Sequence, residues 1–158
     1  MRAAVITVST SKAAGEGEDE SGPALAELVR SLGLELAGAD VVTDDLEAIA
    51  ARLRHWADEE GCALVLTSGG TGFAPTDVTP EATRAVIERE APGLGEAMRA
   101  SSRAHTPNWM LTRAIGGIRG DTLIVNFPGS PNSIRETGGA LAQALPHALA
   151  LLAGEHPH

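Results

Sequence analysis

The chain has no tyrosine, two phenylalanines and two tryptophans, so aromatic residues make up only 3% of it. Its interior must therefore be built from Ala, Val, Leu and Ile, and with 43% apolar residues there is enough for a packed core and no signature of global disorder. There is one cysteine, Cys62, which excludes an internal disulfide; beside an apolar run it reads as a small hydrophobe rather than a nucleophile. No tract of Lys or Arg occurs, and 12 basic against 21 acidic residues leave a net charge of −9, which excludes a protein built to grip a nucleic-acid backbone. No apolar run approaches the roughly 20 residues needed to cross a bilayer, so a transmembrane role is excluded. No charged n-region followed by an apolar h-region opens the sequence, so the expected compartment is the cytoplasm. There is no internal repeat, linker or low-complexity segment. The 158 residues predict one domain over 1–154 with a loose tail over 155–158.

What is present is an alternation of two periods. Ala3–Val8 is an uninterrupted apolar run, the pattern of a central strand buried on both faces. Ser21-Gly22-Pro23 then starts a helix that ends near Gly33, with Leu25, Leu28, Val29 and Leu32 on one stripe. Leu34–Val42 reads as a second strand. Asp44-Asp45 opens a helix to about Glu60 with the stripe Leu46, Ile49, Leu53 and Trp56. Ala63–Thr67 is a third strand. Thr79-Pro80 predicts a helix with Thr as its cap, broken at Pro92-Gly93. Trp109–Ala114 reads as a short helix stopped by Gly116-Gly117, and Thr122–Phe127 as a further strand. The last helix starts on the capping-box pair Ser133 and Glu136, and Pro146 should kink or divide it. Strand alternating with helix predicts an α/β fold, one three-layer α/β/α domain around a mostly parallel sheet.

In such sheets ligands bind beyond the carboxyl ends of the strands. Three loops there are unusual. Ser68-Gly69-Gly70-Thr71-Gly72 offers backbone amides and hydroxyls to an anion, although a tight turn requiring positive φ explains the same glycines. It is neither a P-loop nor a G-x-G-x-x-G fingerprint. Asp77 stands just past this loop at a helix start, and Asp44 follows the second strand. Either could merely favour a helix dipole, or the two could share one hydrated magnesium completed by phosphate oxygens and water. Pro128-Gly129-Ser130 leads into a capped helix, either a second anion site or plain strand-to-helix turn chemistry. His55, His105 and His147 show no metal-ligand spacing. Trp109 offers a ring to stack on a planar ligand, or to pack in an interface.

Taken in order, Asp19-Glu20-Ser21-Gly22, Thr67–Gly72, Asp77-Val78-Thr79-Pro80-Glu81-Ala82-Thr83 and Asn126-Phe127-Pro128-Gly129-Ser130-Pro131 resemble the MogA/MoaB family of molybdenum cofactor biosynthesis, over almost the whole chain. The resemblance implies a stand-alone bacterial molybdopterin adenylyltransferase, a nucleotidyltransferase that joins AMP from Mg-ATP to the terminal phosphate of molybdopterin and releases pyrophosphate. It implies that Asp44 and Asp77 govern magnesium and the transfer, and that Thr71, Ser102, Thr112 and Asn126 bind molybdopterin. Thr112 stands where the family commonly has Ser, which keeps the hydroxyl. Ser9-Thr10-Ser11-Lys12 lacks the family's acidic–Arg pair, leaving Lys12 as the candidate phosphate-facing cation. A homotrimer and hand-over of product to a molybdenum-inserting protein are further implications. The alternatives are a non-catalytic, MoaB-type molybdopterin-binding scaffold, and a nucleotide-binding α/β domain with unrelated chemistry.

Overall fold

The computed structural model describes residues 1–157, so His158 of the expected tail lies outside the described residues. Six strands form one sheet in the order β2-β1-β3-β6-β5-β4: β1 Arg2–Val8, β2 Glu35–Val42, β3 Leu64–Ser68, β4 Arg89–Glu90, β5 Gly116–Arg119 and β6 Thr122–Phe127. The pairs among β2, β1, β3 and β6 are parallel, and β5 runs antiparallel to both β6 and β4. The helices are α1 Thr10–Ala13, α2 Ser21–Ser31, α3 Leu46–Arg54, α4 Thr79–Val86, α5 Pro92–Ser102, α6 Pro131–Leu141 and α7 Ala144–Leu152. No helix among the described residues is long and apolar enough to cross a membrane.

The two-faced strands produce two cores, and the expected three layers follow. Ala3, Val5, Leu64, Leu66, Leu123, Val125 and Phe127 point to one face, where α2, α5, α6 and α7 supply Leu25, Val29, Met98, Ile134, Leu141, Leu145 and Leu149. Ala4, Ile6, Val8, Val65 and Ile124 point to the other, covered by α3 and α4 through Ile49, Leu53, Ala82 and Val86. The period-two alternation of buried residues along each strand is thus satisfied on both sides. From β1 the chain moves outward to β2 and then returns on the other side to β3. That reversal opens a crevice at the carboxyl ends of β1 and β3, where α/β sheets bind ligands.

Local chemistry relocates several expected boundaries. Gly116 and Gly117 do not stop a helix; they lie in β5, because a Cβ at Gly117 would stand 2.5 Å from Ile87 and one at Gly116 2.8 Å from Leu94. Trp109–Leu111 is a single 3₁₀ turn. Pro92 begins α5, and the break from α4 falls at residues 87–91, which contain β4. Thr79 is the first residue of α4, not its side-chain cap. The cap of α6 is Ser130, whose Oγ accepts from the Ser133 amide at 3.1 Å, three residues before the expected start. Pro146 falls in the first turn of α7, where a missing N–H is harmless. After Arg54, α3 widens into a π-helical turn, His55–Glu59, which seats Trp56 over Gly38 of β2, a position with no room for a Cβ.

Candidate active site

The carboxyl ends of β1, β2, β3 and β6 converge on the glycine loop. Asp45 serves as the cap of α3 by accepting from the Ala48 amide at 2.9 Å, which leaves its neighbour Asp44 free for another task. The Thr10 amide and hydroxyl, at the start of α1 just after β1, both donate to Asp44 Oδ2, at 3.0 and 2.9 Å. The Asp44 amide in turn donates to Thr10 Oγ1 at 3.0 Å. This reciprocal grip fixes the carboxylate and turns Oδ1 toward Gly70, where a Cβ would lie 3.4 Å from it.

Gly69 and Gly70 have φ of +89° and +66°. Beyond that left-handed backbone, a Cβ at Gly69 would strike the Val8 carbonyl and one at Gly70 would strike Thr79 Oγ1. Both glycines are therefore required by close approach as well as by conformation. Ser68 Oγ and Thr79 Oγ1 are buried without a hydrogen-bond partner. Two orphaned hydroxyls bordering one loop are costly unless a ligand engages them. Thr71, nearly buried, takes the Thr112 hydroxyl at 3.4 Å.

Asp77 closes the turn after this loop: its Oδ2 accepts from the Ala74 amide at 3.0 Å and would lie 2.8 Å from a Cβ at Gly72. The two aspartates thus stand beside loop positions two residues apart, each leaving its Oδ1 without a protein donor among the described residues. Arg113, from the segment before β5, binds this turn together. Its Nε donates to the Gly72 carbonyl at 2.8 Å, its Nη2 to the Asp77 carbonyl at 2.7 Å, and its guanidinium pairs with the Glu81 carboxylate. That pairing holds the Glu81 carboxyl below the usual glutamate range. The Arg113 amide also donates to the Thr71 carbonyl, at 2.7 Å.

On the other side of the loop, Gly129 packs against Gly69, and its carbonyl accepts from Ser21 Oγ at 2.6 Å. Asp19 is committed to structure: Oδ1 takes the Ser21 and Gly22 amides at the start of α2, and Oδ2 takes the Thr7 hydroxyl. A cleft of about 400 Å³ lies here, bordered by Ser9, Lys12, Ser68, Gly69, Gly129 and Ser130, with Lys12 as its one basic wall residue and Glu18, Asp19 and Glu20 as its acidic rim.

The structure therefore gathers Asp44, Ser68, Gly69, Gly70, Thr71, Gly72, Asp77, Thr112, Pro128, Gly129 and Ser130 around one strand-end crevice. Asn126 differs. It is fully buried, its Nδ2 donating to Thr67 and Thr83 hydroxyls at 3.1 and 2.9 Å and its Oδ1 accepting from the Ile115 amide at 3.3 Å. Every polar atom of its amide is thus engaged in bracing β6 against β3, α4 and the segment before β5. Ser102 is buried at the end of α5 and has no hydrogen bond to the glycine loop among the described residues. Thr10, Glu81 and Arg113 escaped the sequence reading as site residues. Their partners lie about thirty residues away or more, and only the uncompensated charge of Arg113 beside Thr112 could have drawn attention to it.

The model for the family described as "Probable molybdopterin binding domain" matches residues 4–147. The chain belongs to this molybdopterin-binding domain family. Among relatives of this molybdopterin-binding domain is the molybdopterin adenylyltransferase of Helicobacter pylori J99, 39% identical over 96% of this chain and 88% of that protein. The crystal structure of the molybdopterin biosynthesis enzyme MoaB from Thermus thermophilus superposes with a TM-score of 0.91 at 45% identity, covering 98% and 97% of the two chains. The molybdenum cofactor synthesis protein cinnamon of Drosophila melanogaster is 39% identical over 94% of this chain, which spans only 25% of that longer protein.

Proposed function

We propose that this chain is a molybdopterin adenylyltransferase of molybdenum cofactor biosynthesis. The observation that carries the reading is the pair of carboxylates, Asp44 and Asp77, flanking a glycine loop beside two orphaned hydroxyls, in a chain about two-fifths identical to enzymes of that name. An oxygen of the terminal phosphate of molybdopterin attacks the α-phosphorus of ATP. The bond from that phosphorus to the bridging oxygen breaks, pyrophosphate leaves, and the product is adenylylated molybdopterin. The attacking phosphate is already ionised at neutral pH, so no side chain need remove a proton. The protein's tasks are alignment and stabilisation of charge.

The glycine-loop amides with Ser68, Thr71 and Thr79 hydroxyls supply donors, Lys12 supplies a cation across the cleft, and the half-buried aspartates flank the loop, Asp44 with its free Oδ1 toward Gly70 and Asp77 with its Oδ2 beside Gly72. That donor set fits magnesium: hard oxygens, too few for a cage, since no cluster of three ligating side chains occurs among the described residues. Asp44 and Asp77 would hold the ion, which supplies neutralisation of phosphate charge. A homotrimer, a cytoplasmic location, a domain spanning 1–154 and release of product to a molybdenum-inserting protein complete the reading; light scattering tests the first.

The deciding experiment incubates purified protein with molybdopterin and Mg-ATP and measures pyrophosphate and adenylylated pterin. Pyrophosphate that appears only with the pterin supports the reading. Pterin binding without pyrophosphate would favour the MoaB-type scaffold, and ATP cleavage indifferent to pterin would favour unrelated nucleotide chemistry.

A further inference from the structure

We propose that Arg113 is a positioning residue for adenylyl transfer, locking Asp77 and the glycine loop to α4 without touching phosphate itself. The inference rests on the activity proposed above. An arginine beside a phosphate-type loop invites assignment as an anion ligand, but four of the five N–H groups of this guanidinium already serve protein acceptors. Nε serves the Gly72 carbonyl, Nη2 the Asp77 carbonyl, and both terminal nitrogens the Glu81 carboxylate. The two carbonyls lie at opposite ends of the turn 72–77, so one planar side chain closes its base. Glu81 lies in the first turn of α4, rooted in the core through Ala82 and Val86, and anchors the guanidinium to a rigid element. The Asp77 carboxylate is carried by this closed turn, where it accepts from the Ala74 amide. A lysine could supply the charge but could not span two carbonyls and a carboxylate at once.

The test compares Arg113→Lys and Glu81→Gln with wild type in steady-state adenylyl transfer, with hydrogen exchange of the amides over residues 71–77. The clamp predicts that both variants lose about tenfold in kcat. Both should need more magnesium for half-maximal activity while the KM for molybdopterin stays within about twofold. Their double variant should lose little more than the worse single one, since both act on one chain of contacts. Exchange over 71–77 rises in both. A raised KM for ATP with unchanged kcat in Arg113→Lys, and no effect of Glu81→Gln, would make Arg113 a direct phosphate ligand and overturn the proposal. The two failures are separable. Absence of pterin-dependent pyrophosphate in wild type overturns the activity, whereas unchanged exchange over 71–77 in both variants overturns the clamp.

Discussion

Thr10 holds Asp44 with two donors at once, its amide at 3.0 Å and its hydroxyl at 2.9 Å from the same carboxylate oxygen. Removing the hydroxyl leaves the carboxylate on one donor and free to rotate. Thr10→Val should lower kcat about tenfold, while Thr10→Ser retains most activity. A valine variant as active as wild type in pyrophosphate release would show that Asp44 needs no such restraint.

Asp44→Asn and Asp77→Asn keep shape and remove charge. Each should reduce adenylyl transfer on the order of a hundredfold or more, with little change in melting temperature, because neither carboxylate lies in either core. Undiminished turnover in both would remove these residues from the mechanism.

Asn126→Ala acts elsewhere. It strands the buried Thr67 hydroxyl, removes the side-chain acceptor of the Ile115 amide and takes one of two partners from the Thr83 hydroxyl, which still donates to the Thr79 carbonyl. The change should cost about 2–3 kcal/mol in urea unfolding. Loss of pterin affinity with unchanged stability would instead return Asn126 to the substrate.

Gly69→Ala combines a left-handed φ with collision against the Val8 carbonyl. The expected loss is about 2 kcal/mol or more, read by the same unfolding assay. A substitution absorbed without loss would mean that the loop relaxes away from β1.

At the opposite end of the sheet, Arg119 donates Nε and Nη2 to both oxygens of Asp58, and this pairing holds the Asp58 carboxyl below its ordinary 3.8. A lowered carboxyl pKa means the charged form favours the folded state, so the contribution is present above 3.8 and disappears as pH falls through the lower folded value. Asp58→Asn should therefore be less stable than wild type at about pH 7, with the gap closing progressively as pH falls below 3.8. A gap independent of pH would assign the effect to something other than the ion pair.

Strands buried on both faces announce themselves as unbroken apolar runs, and for that reason Ala3–Val8 and Thr122–Phe127 are legible within a residue or so. The glycine loop and the two aspartates are legible because strand ends limit where a ligand can sit. Gly116-Gly117 is not, because glycine marks both a stop and a close approach, and only the position of Ile87 decides between them. The bracing contacts of Asn126 are illegible for a related reason: a polar residue in a conspicuous string can bind a ligand or brace a loop, and its hydrogen-bond partners arise only from folding. Arg113 and Glu81 lie thirty-two residues apart, with no local pattern to join them.

The scarcity of aromatic residues and the placement of the two tryptophans have a practical consequence. Trp56 is sealed between α3 and β2, its indole donating to Asp40, whereas half-buried Trp109 sits on the turn leading to Thr112 and Arg113. With no tyrosine to contaminate the emission, replacing either tryptophan by phenylalanine leaves a single indole, so the scaffold around Trp56 and the segment around Trp109 can be followed separately without an attached label.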